Sequence, residues 1–118
     1  MGLFGKKKNN TASNSVNNAF LKIKTSKDGA EYTFMLEGRL DTNTSPELKS
    51  KVDEVVDGAK KLVFDLEKLD YISSAGLRVL LGSAQAMEDK GEMVVRNITQ
   101  PVRDIFDLTG FNLLFNIE

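Results

Sequence analysis

The feature that most constrains the fold is the alternation, in the second half of the chain, of short apolar runs with an amphipathic segment. Lys61–Leu66 is a short apolar run of the kind typical of a central strand. The next segment places apolar side chains at helical spacing from Leu77 to Ala84, and Glu92–Arg96 again has the pattern of a strand. A strand, a helix and a second strand in this order predict a crossover between parallel neighbours.

The preceding residues predict a hairpin and a first helix. Phe20–Lys24 and Glu31–Gly38 alternate between apolar and polar residues, and a turn sequence separates them. Thr44 and Glu47 stand three residues apart, which is the spacing of a capping box at a helix N-terminus. Apolar residues follow at helical spacing, and Gly58 is suited to end the helix.

The end of the chain predicts a third helix, opened by Thr99–Pro101 and closed by Gly110, and a final strand within Leu113–Ile117. The order is β-β-α-β-α-β-α-β. We therefore expect a single α/β domain over residues 19–118, with a mixed, mostly parallel sheet of four to five strands and helices packed against it. Residues 1–18 are polar and rich in asparagine, so they predict a disordered tail.

The absence of histidine and cysteine narrows the possible chemistry. A Ser-His-Asp triad, a Cys-His pair and the usual zinc sites all need these residues. The sequence also lacks a glycine-rich phosphate loop of the Gly-x-x-x-x-Gly-Lys kind. We therefore expect a binding protein and not an enzyme, with no cofactor and no metal.

Charge and hydropathy limit the partners. The chain has 118 residues, 41% of them apolar, and a net charge of −1, so it lacks the concentrated positive field that nucleic acids require. No apolar run approaches the ~20 residues that cross a bilayer. The lysines Lys6–Lys8 are too weak a signal for stable membrane association. Together with the lack of cysteine, these features predict a cytoplasmic protein.

The segment from Asp70 to Arg78 has features that structural stability alone does not explain. Ser73 is a favoured residue type for a helix N-cap. Gly76 follows Ser74 within the first turn, where glycine costs roughly 0.5–1 kcal/mol relative to alanine. We interpret this glycine as allowing another backbone to approach closely. The free N–H groups and dipole of a helix start also accommodate a phosphoserine.

Several segments resemble the STAS domains of bacterial anti-sigma factor antagonists. The resemblance extends in unbroken order over roughly residues 20–118. The segments that carry it are Glu37–Asp41, Leu62–Leu66, Tyr71–Leu77, Gly91–Val95 and Val102–Gly110.

The resemblance implies a function in partner switching. In that family, the unmodified antagonist binds an anti-sigma factor that is also a serine kinase, and so frees the sigma factor. The kinase phosphorylates a serine just before a helix, the antagonist is released, and a serine phosphatase restores it. This serine matches Ser74. The family commonly has Asp before it and Ser or Thr after it, where this chain has Ser73 and Ala75.

The resemblance also suggests a partner-binding surface around Ser74. It places the loop residues Asp41, Thr42 and Asn43 close to the acceptor, although Asp41 is also an ordinary turn residue. Arg78 lies one helical turn after Ser74, where it either pairs with a phosphoserine, contacts the partner or is simply solvated.

The surface includes Ser73, Ala75 and Gly76, and Gly82 and Ser83 follow along the same helix. A second hypothesis is a constitutive STAS subunit of a transporter or stress-signalling complex. In that case the chain has no phosphoswitch, and Ser74 is a structural cap.

Overall fold

The computed structural model describes residues 15–17 and 20–118, which form six strands and three α-helices. In chain order the elements are β1 (Ser15–Asn17), β2 (Leu21–Asp28), β3 (Glu31–Leu40), α1 (Ser45–Val55), β4 (Lys61–Ile72), α2 (Ser74–Met87), β5 (Glu92–Arg96), α3 (Gln100–Thr109) and β6 (Asn116–Ile117). Single 3₁₀ turns follow α1, at Val56–Gly58, and α3, at Phe111–Leu113.

The six strands form one sheet in sequence order. The pairs β1–β2 and β2–β3 are antiparallel, and the three later pairs are parallel. Each parallel pair is joined through a helix, and all three crossovers step in the same direction. Right-handed crossovers of this kind place the helices on one face of the sheet. The predicted α/β fold with its mixed, mostly parallel sheet is confirmed, although the sheet has six strands where four to five were predicted.

The N-terminal edge differs from the sequence prediction. Ser15–Asn17 pair with Lys22–Lys24 of β2 and add a strand to the sheet inside the segment predicted as a disordered tail. An edge strand needs only backbone hydrogen bonds on one side, and polar residues supply these as well as apolar ones. Residues 1–14 and 18 of the predicted tail, and residue 19 of the predicted domain, lie outside the described residues.

The core lies between the helices and one face of the sheet. Phe34 and Phe64 are register partners on β3 and β4, are fully buried, and stack with ring centroids 5.5 Å apart. The helices add a stripe of buried side chains each: Leu48 and Val52 from α1, Leu77, Leu80 and Met87 from α2, and Val102 and Phe106 from α3. These stripes match the helical spacing that the sequence shows.

Strand β4 is longer than its apolar run predicts. The sequence indicates a strand that ends near Leu66, whereas β4 continues to Ile72. Its register with β3 shifts twice, between Met35 and Glu37 and again between Gly38 and Arg39. Such bulges break the alternation of side chains, so the extension is not visible as a period in the sequence.

Candidate functional site

The candidate site lies where two neighbouring parallel strands end. Leu40 closes β3, Ile72 closes β4, and the two residues are register partners. The Ser73 N–H donates to the Leu40 carbonyl at 2.9 Å. The loop that begins at Asp41 and the first turn of α2 therefore leave the sheet side by side, at the edge where open α/β sheets present their ligand-binding residues.

Asp41 organises the loop between β3 and α1. Its Oδ1 accepts hydrogen bonds from the N–H groups of Asn43 at 2.9 Å and Thr44 at 3.1 Å, and the Thr44 Oγ1 atom lies 3.3 Å away. Its Oδ2 lies 3.7 Å from Nε of Arg39. The side chain is thus an Asx-type anchor of the loop.

The electrostatic balance at Asp41 favours the carboxylate. Partial burial raises the pKa, but the hydrogen bonds from Thr44 and Asn43 and the charge of Arg39 outweigh it, so the net pKa of Asp41 lies below its ordinary value. Asp41 is therefore a fixed negative charge at neutral pH, next to the start of α2.

The Thr44 side chain does not form the capping box that its spacing from Glu47 predicts. Thr44 is the N-cap residue of α1, yet its side chain makes no capping hydrogen bond. Its buried hydroxyl donates to the Arg39 carbonyl at 2.8 Å and accepts from the Asp41 N–H at 2.9 Å. The hydroxyl closes the loop back onto β3, so this part of the prediction is wrong.

Ser73 and Ser74 differ in exposure. Ser73 is the N-cap residue of α2, with an extended backbone whose carbonyl accepts from the Leu77 N–H at 2.9 Å. Its hydroxyl makes no capping bond, and Oγ is buried with no hydrogen-bond partner among residues 15–17 and 20–118. Ser74 is the first residue of the helix, and its side chain is exposed. Of the two, Ser74 is the accessible hydroxyl.

Gly76 is required by packing inside the domain. The residue is buried, and an added Cβ would lie 2.8 Å from both Ile72 Cγ1 and Leu40 Cγ. The first turn of α2 therefore rests directly on the ends of β3 and β4. The interpretation that Gly76 lets another backbone approach closely is wrong, because the close neighbours are side chains of this domain.

The remaining predicted contacts fall into two groups. Thr42, Asn43 and Arg78 are exposed, whereas Ala75 is half-buried. In the part of the chain that the structure describes, Arg78 makes no hydrogen bond or ion pair. The accessible surface around Ser74 thus combines a neutral polar loop, the anchored carboxylate of Asp41 and a cation one helical turn along α2.

Two residues beside the site, Arg39 and Tyr71, were not predicted from the sequence. These residues are register partners on β3 and β4, and the Arg39 guanidinium lies 4.5 Å from the centroid of the Tyr71 ring. Arg39 also pairs with Asp41, so it links the exposed ring to the loop. Both residues lie in the segments that carry the family resemblance, but their pairing depends on the bulges of β3 and β4.

The chemistry available to this surface is that of an exposed hydroxyl at a helix N-terminus. Among the described residues, no group of three or more Asp or Glu side chains is arranged to hold a metal ion. None of the described helices is long and apolar enough to cross a membrane.

Known proteins share this sequence pattern and fold. The STAS domain profile matches residues 22–118. A Bordetella bronchiseptica protein, provisionally named the anti-sigma factor antagonist BtrV, is 38% identical over 84 residues, which cover 70% of this chain and 72% of that protein.

Solved structures give the same result for the fold. An anti-sigma factor antagonist from Mycobacterium paratuberculosis superposes with a TM-score of 0.75 at 22% identity, covering 82% of this chain and 84% of that one. The anti-sigma factor antagonist SpoIIAA matches in its unphosphorylated form with a TM-score of 0.72 at 18% identity over 81% of this chain and 87% of that one. The phosphorylated form of the Bacillus protein gives 0.66 at 17% identity, over 81% of this chain and 90% of that one.

The chain therefore belongs to the STAS domain family, among the anti-sigma factor antagonists. The names of these relatives describe regulatory binding proteins and indicate no catalytic activity.

Proposed function

We propose that this protein is a phosphorylation-switched anti-sigma factor antagonist. The unphosphorylated form sequesters a cytoplasmic anti-sigma serine kinase, phosphorylation of Ser74 releases it, and a serine phosphatase resets the switch. The observation that carries the proposal is the exposed hydroxyl of Ser74 at the first position of α2, beside the loop that Asp41 anchors. The names of the relatives support the anti-sigma factor as partner.

The surroundings of Ser74 suit a phosphate that leaves the fold intact. The N–H groups of the first turn have no intrahelical partner, and the positive end of the helix dipole attracts an anion. Arg78, one turn along the same helix, supplies a cation at the spacing of a helical ion pair. Phosphorylation then changes the charge of the surface, by about −1.5 to −2, and leaves the fold as it is.

Asp41 supplies the second element of the switch. As an ionised side chain next to the start of α2, it adds to the negative field that a phosphate on Ser74 creates. A partner that accepts the single carboxylate meets both charges after phosphorylation. Like charges brought together at an interface oppose binding, which favours release. Thr42 and Asn43, exposed on the same loop, complete the contact surface.

A constitutive STAS subunit requires Ser74 to act as a structural cap. Against this stands the position of Ser73, which is the N-cap residue of α2 and leaves Ser74 as the first helical residue with its side chain exposed. An exposed hydroxyl with no capping duty fits a modification site better than a structural element.

The test combines site mapping with binding. The protein is incubated with ATP and the histidine-kinase-like anti-sigma factor of its source organism, and added phosphate is located by mass spectrometry. Binding to the same partner is measured for the wild type, Ser74→Ala and Ser74→Asp, with Ser73→Ala as the matched control for the neighbouring hydroxyl.

We expect phosphate on Ser74, retained binding by Ser74→Ala and Ser73→Ala, and lost binding by Ser74→Asp. Equal binding by all four proteins together with no phosphorylation would contradict the switch and favour the constitutive subunit.

A further inference from the structure

A stripe of exposed residues runs along α2 from the proposed phosphorylation site. Ser74, Arg78, Gly82 and Ala86 follow one another at intervals of four residues, and all four are exposed. Residues four apart lie on neighbouring turns of the same helix side. The surface that begins at Ser74 therefore continues along α2 for three more turns.

This stripe borders a groove between α1 and α2. The groove has a volume of about 330 Å³. Its apolar lining comes from Val52 of α1, from Val56 of the 3₁₀ turn that follows α1, and from Val79, Gly82 and Ala86 of α2. The charged side chains Lys49, Asp53 and Arg78 stand around it. It is a short apolar channel with a charged rim, open to solvent on the surface next to Ser74.

Gly82 keeps this groove open without serving the packing of the domain. An added Cβ at Gly82 would meet nothing within 4 Å among the described residues, whereas at Gly76 it would clash with Leu40 and Ile72. Glycine in a helix interior is less favourable than alanine. The fold therefore explains Gly76 but gives no internal reason for Gly82, which lines the groove.

The rim of the groove carries a cation that is available to a partner. Lys49 and Asp53 are already paired at 2.8 Å. Arg78 has no hydrogen bond or ion pair within residues 15–17 and 20–118, and it stands between the groove and Ser74. A carboxylate that reaches this end of the groove finds a guanidinium that fits it in bidentate geometry.

We propose that the groove between α1 and α2 seats an apolar side chain of the anti-sigma factor, and that a neighbouring carboxylate of the same partner pairs with Arg78. The inference rests on the proposed function, because it extends the contact surface of Ser74 along the same helix. A side chain set into an apolar groove next to a charge pair is the usual composition of a binding hot spot.

Arg78 couples the groove to the phosphorylation site. A phosphate on Ser74 lies four residues N-terminal to Arg78, which is the favourable order for an acid and a base on a helix. The phosphate and the partner's carboxylate then compete for one guanidinium. Phosphorylation thus removes the contact between Arg78 and the partner's carboxylate, and it also adds negative charge beside Asp41.

The test fills the groove and measures binding to the purified anti-sigma factor of the source organism. Gly82→Leu places a leucine in the groove, and Ala86→Leu fills its other end in case Gly82→Leu does not fold. Ser50→Leu is the matched control, because Ser50 is exposed on α1 outside the groove lining. Circular dichroism and thermal unfolding verify the fold of each variant, and sedimentation velocity records self-association.

We expect the groove variants to bind at least about tenfold more weakly than the wild type, and Ser50→Leu to stay within about twofold. If the folded groove variants bind like Ser50→Leu while Ser74→Asp still fails to bind, the groove proposal is wrong and the proposed function stands. Failure of the wild type itself to bind overturns both. A wild-type dimer that Gly82→Leu dissociates would assign the groove to a second copy of the chain and also overturn the proposal.

Discussion

Gly76 and Gly82 occupy the same helix, yet an added Cβ atom would meet different surroundings at each. At Gly76 it would lie 2.8 Å from side-chain atoms of Leu40 and Ile72, and at Gly82 it would enter open space. The identical substitution therefore has opposite expected effects at two positions six residues apart. At the scale of single residues, the contacts of the folded domain decide the sign, and helix propensity alone does not.

The first prediction compares these two glycines. Gly76→Ala is expected to lower the free energy of unfolding by about 1–3 kcal/mol, because the new Cβ overpacks the junction of α2 with Leu40 and Ile72. Gly82→Ala is expected to raise it by about 1 kcal/mol through helix propensity. Urea denaturation of the two variants and the wild type measures both changes. A stabilised Gly76→Ala variant would show that the first turn of α2 does not rest on the strand ends.

The second prediction concerns the charge of Asp41. Its pKa is lower in the folded protein than the ordinary value of 3.8, so its ionisation stabilises the fold above that value. This contribution is lost as the pH falls through the lowered pKa. Wild type is expected to be more stable than Asp41→Asn at neutral pH, and this difference is expected to shrink as the medium becomes more acidic than pH 3.8. Denaturation of both proteins at neutral pH and below pH 3.8 measures this difference in stability. A difference that grows on acidification would contradict the anchoring role of the carboxylate.

At the scale of elements, the periodicity of apolar residues predicts the strands and helices whose side-chain pattern is regular. The alternation in Phe20–Lys24 and the leucine spacing in α2 predict a strand and a helix that the structure contains. Periodicity fails where the regular pattern breaks. The two bulges that carry β4 on to Ile72 and bring Tyr71 opposite Arg39 leave no period in the sequence, so the end of β4 and the Arg39–Tyr71 contact were not predicted.

The candidate site divides in the same way. Ser74 was predicted as the phosphorylation site from its place at a helix start and from the family resemblance, and both are properties of local sequence. The structural roles of Thr44 and Gly76 depend on residues of other elements. Thr44 donates a hydrogen bond to the Arg39 carbonyl, and Gly76 packs against the side chain of Leu40. Both contacts follow from the register of β3 with β4, which a single sequence does not specify when bulges intervene.

The third prediction applies to helix α2. A phosphate on Ser74 interacts favourably with the N-terminal end of α2 and with Arg78, so phosphorylation is expected to raise the free energy of unfolding by about 0.5–1 kcal/mol. Arg78→Gln is expected to reduce that gain, because it removes the cation at the fourth position after Ser74. Thermal unfolding of the phosphorylated and unphosphorylated forms of both proteins measures it. A phosphorylated wild type that unfolds at a markedly lower temperature would rule out a phosphate accommodated at this helix start.

At the scale of the whole molecule, the main core cluster lies between the helices and one face of the sheet, whereas the proposed function lies at the carboxyl ends of β3 and β4. Phe64 lies on β4 between β3 and β5, is fully buried, and stacks on Phe34. Ser74 and the loop residues Thr42 and Asn43 lie at the carboxyl ends of β4 and β3, with their side chains exposed. This separation allows a surface modification to change binding while the core stays as it is.

The fourth prediction tests this separation. Phe64→Ala is expected to lower the free energy of unfolding by about 3–5 kcal/mol, because it leaves a cavity in the core. Leu108→Ala is the control, since Leu108 is 87% exposed, and its change is expected within about 0.5 kcal/mol. Urea denaturation measures both. Similar losses in the two variants would contradict the placement of the core between the sheet and the helices.

The most direct test of the central claim is the affinity of the anti-sigma factor for the wild type before and after stoichiometric phosphorylation, measured by calorimetry at constant salt. We predict a loss of affinity of about a hundredfold or more, on the order of the change produced by one buried charge conflict at an interface. Circular dichroism of the phosphorylated protein is expected to match that of the unmodified protein. Equal affinity of the two forms, with phosphate verified on Ser74, would contradict the switch.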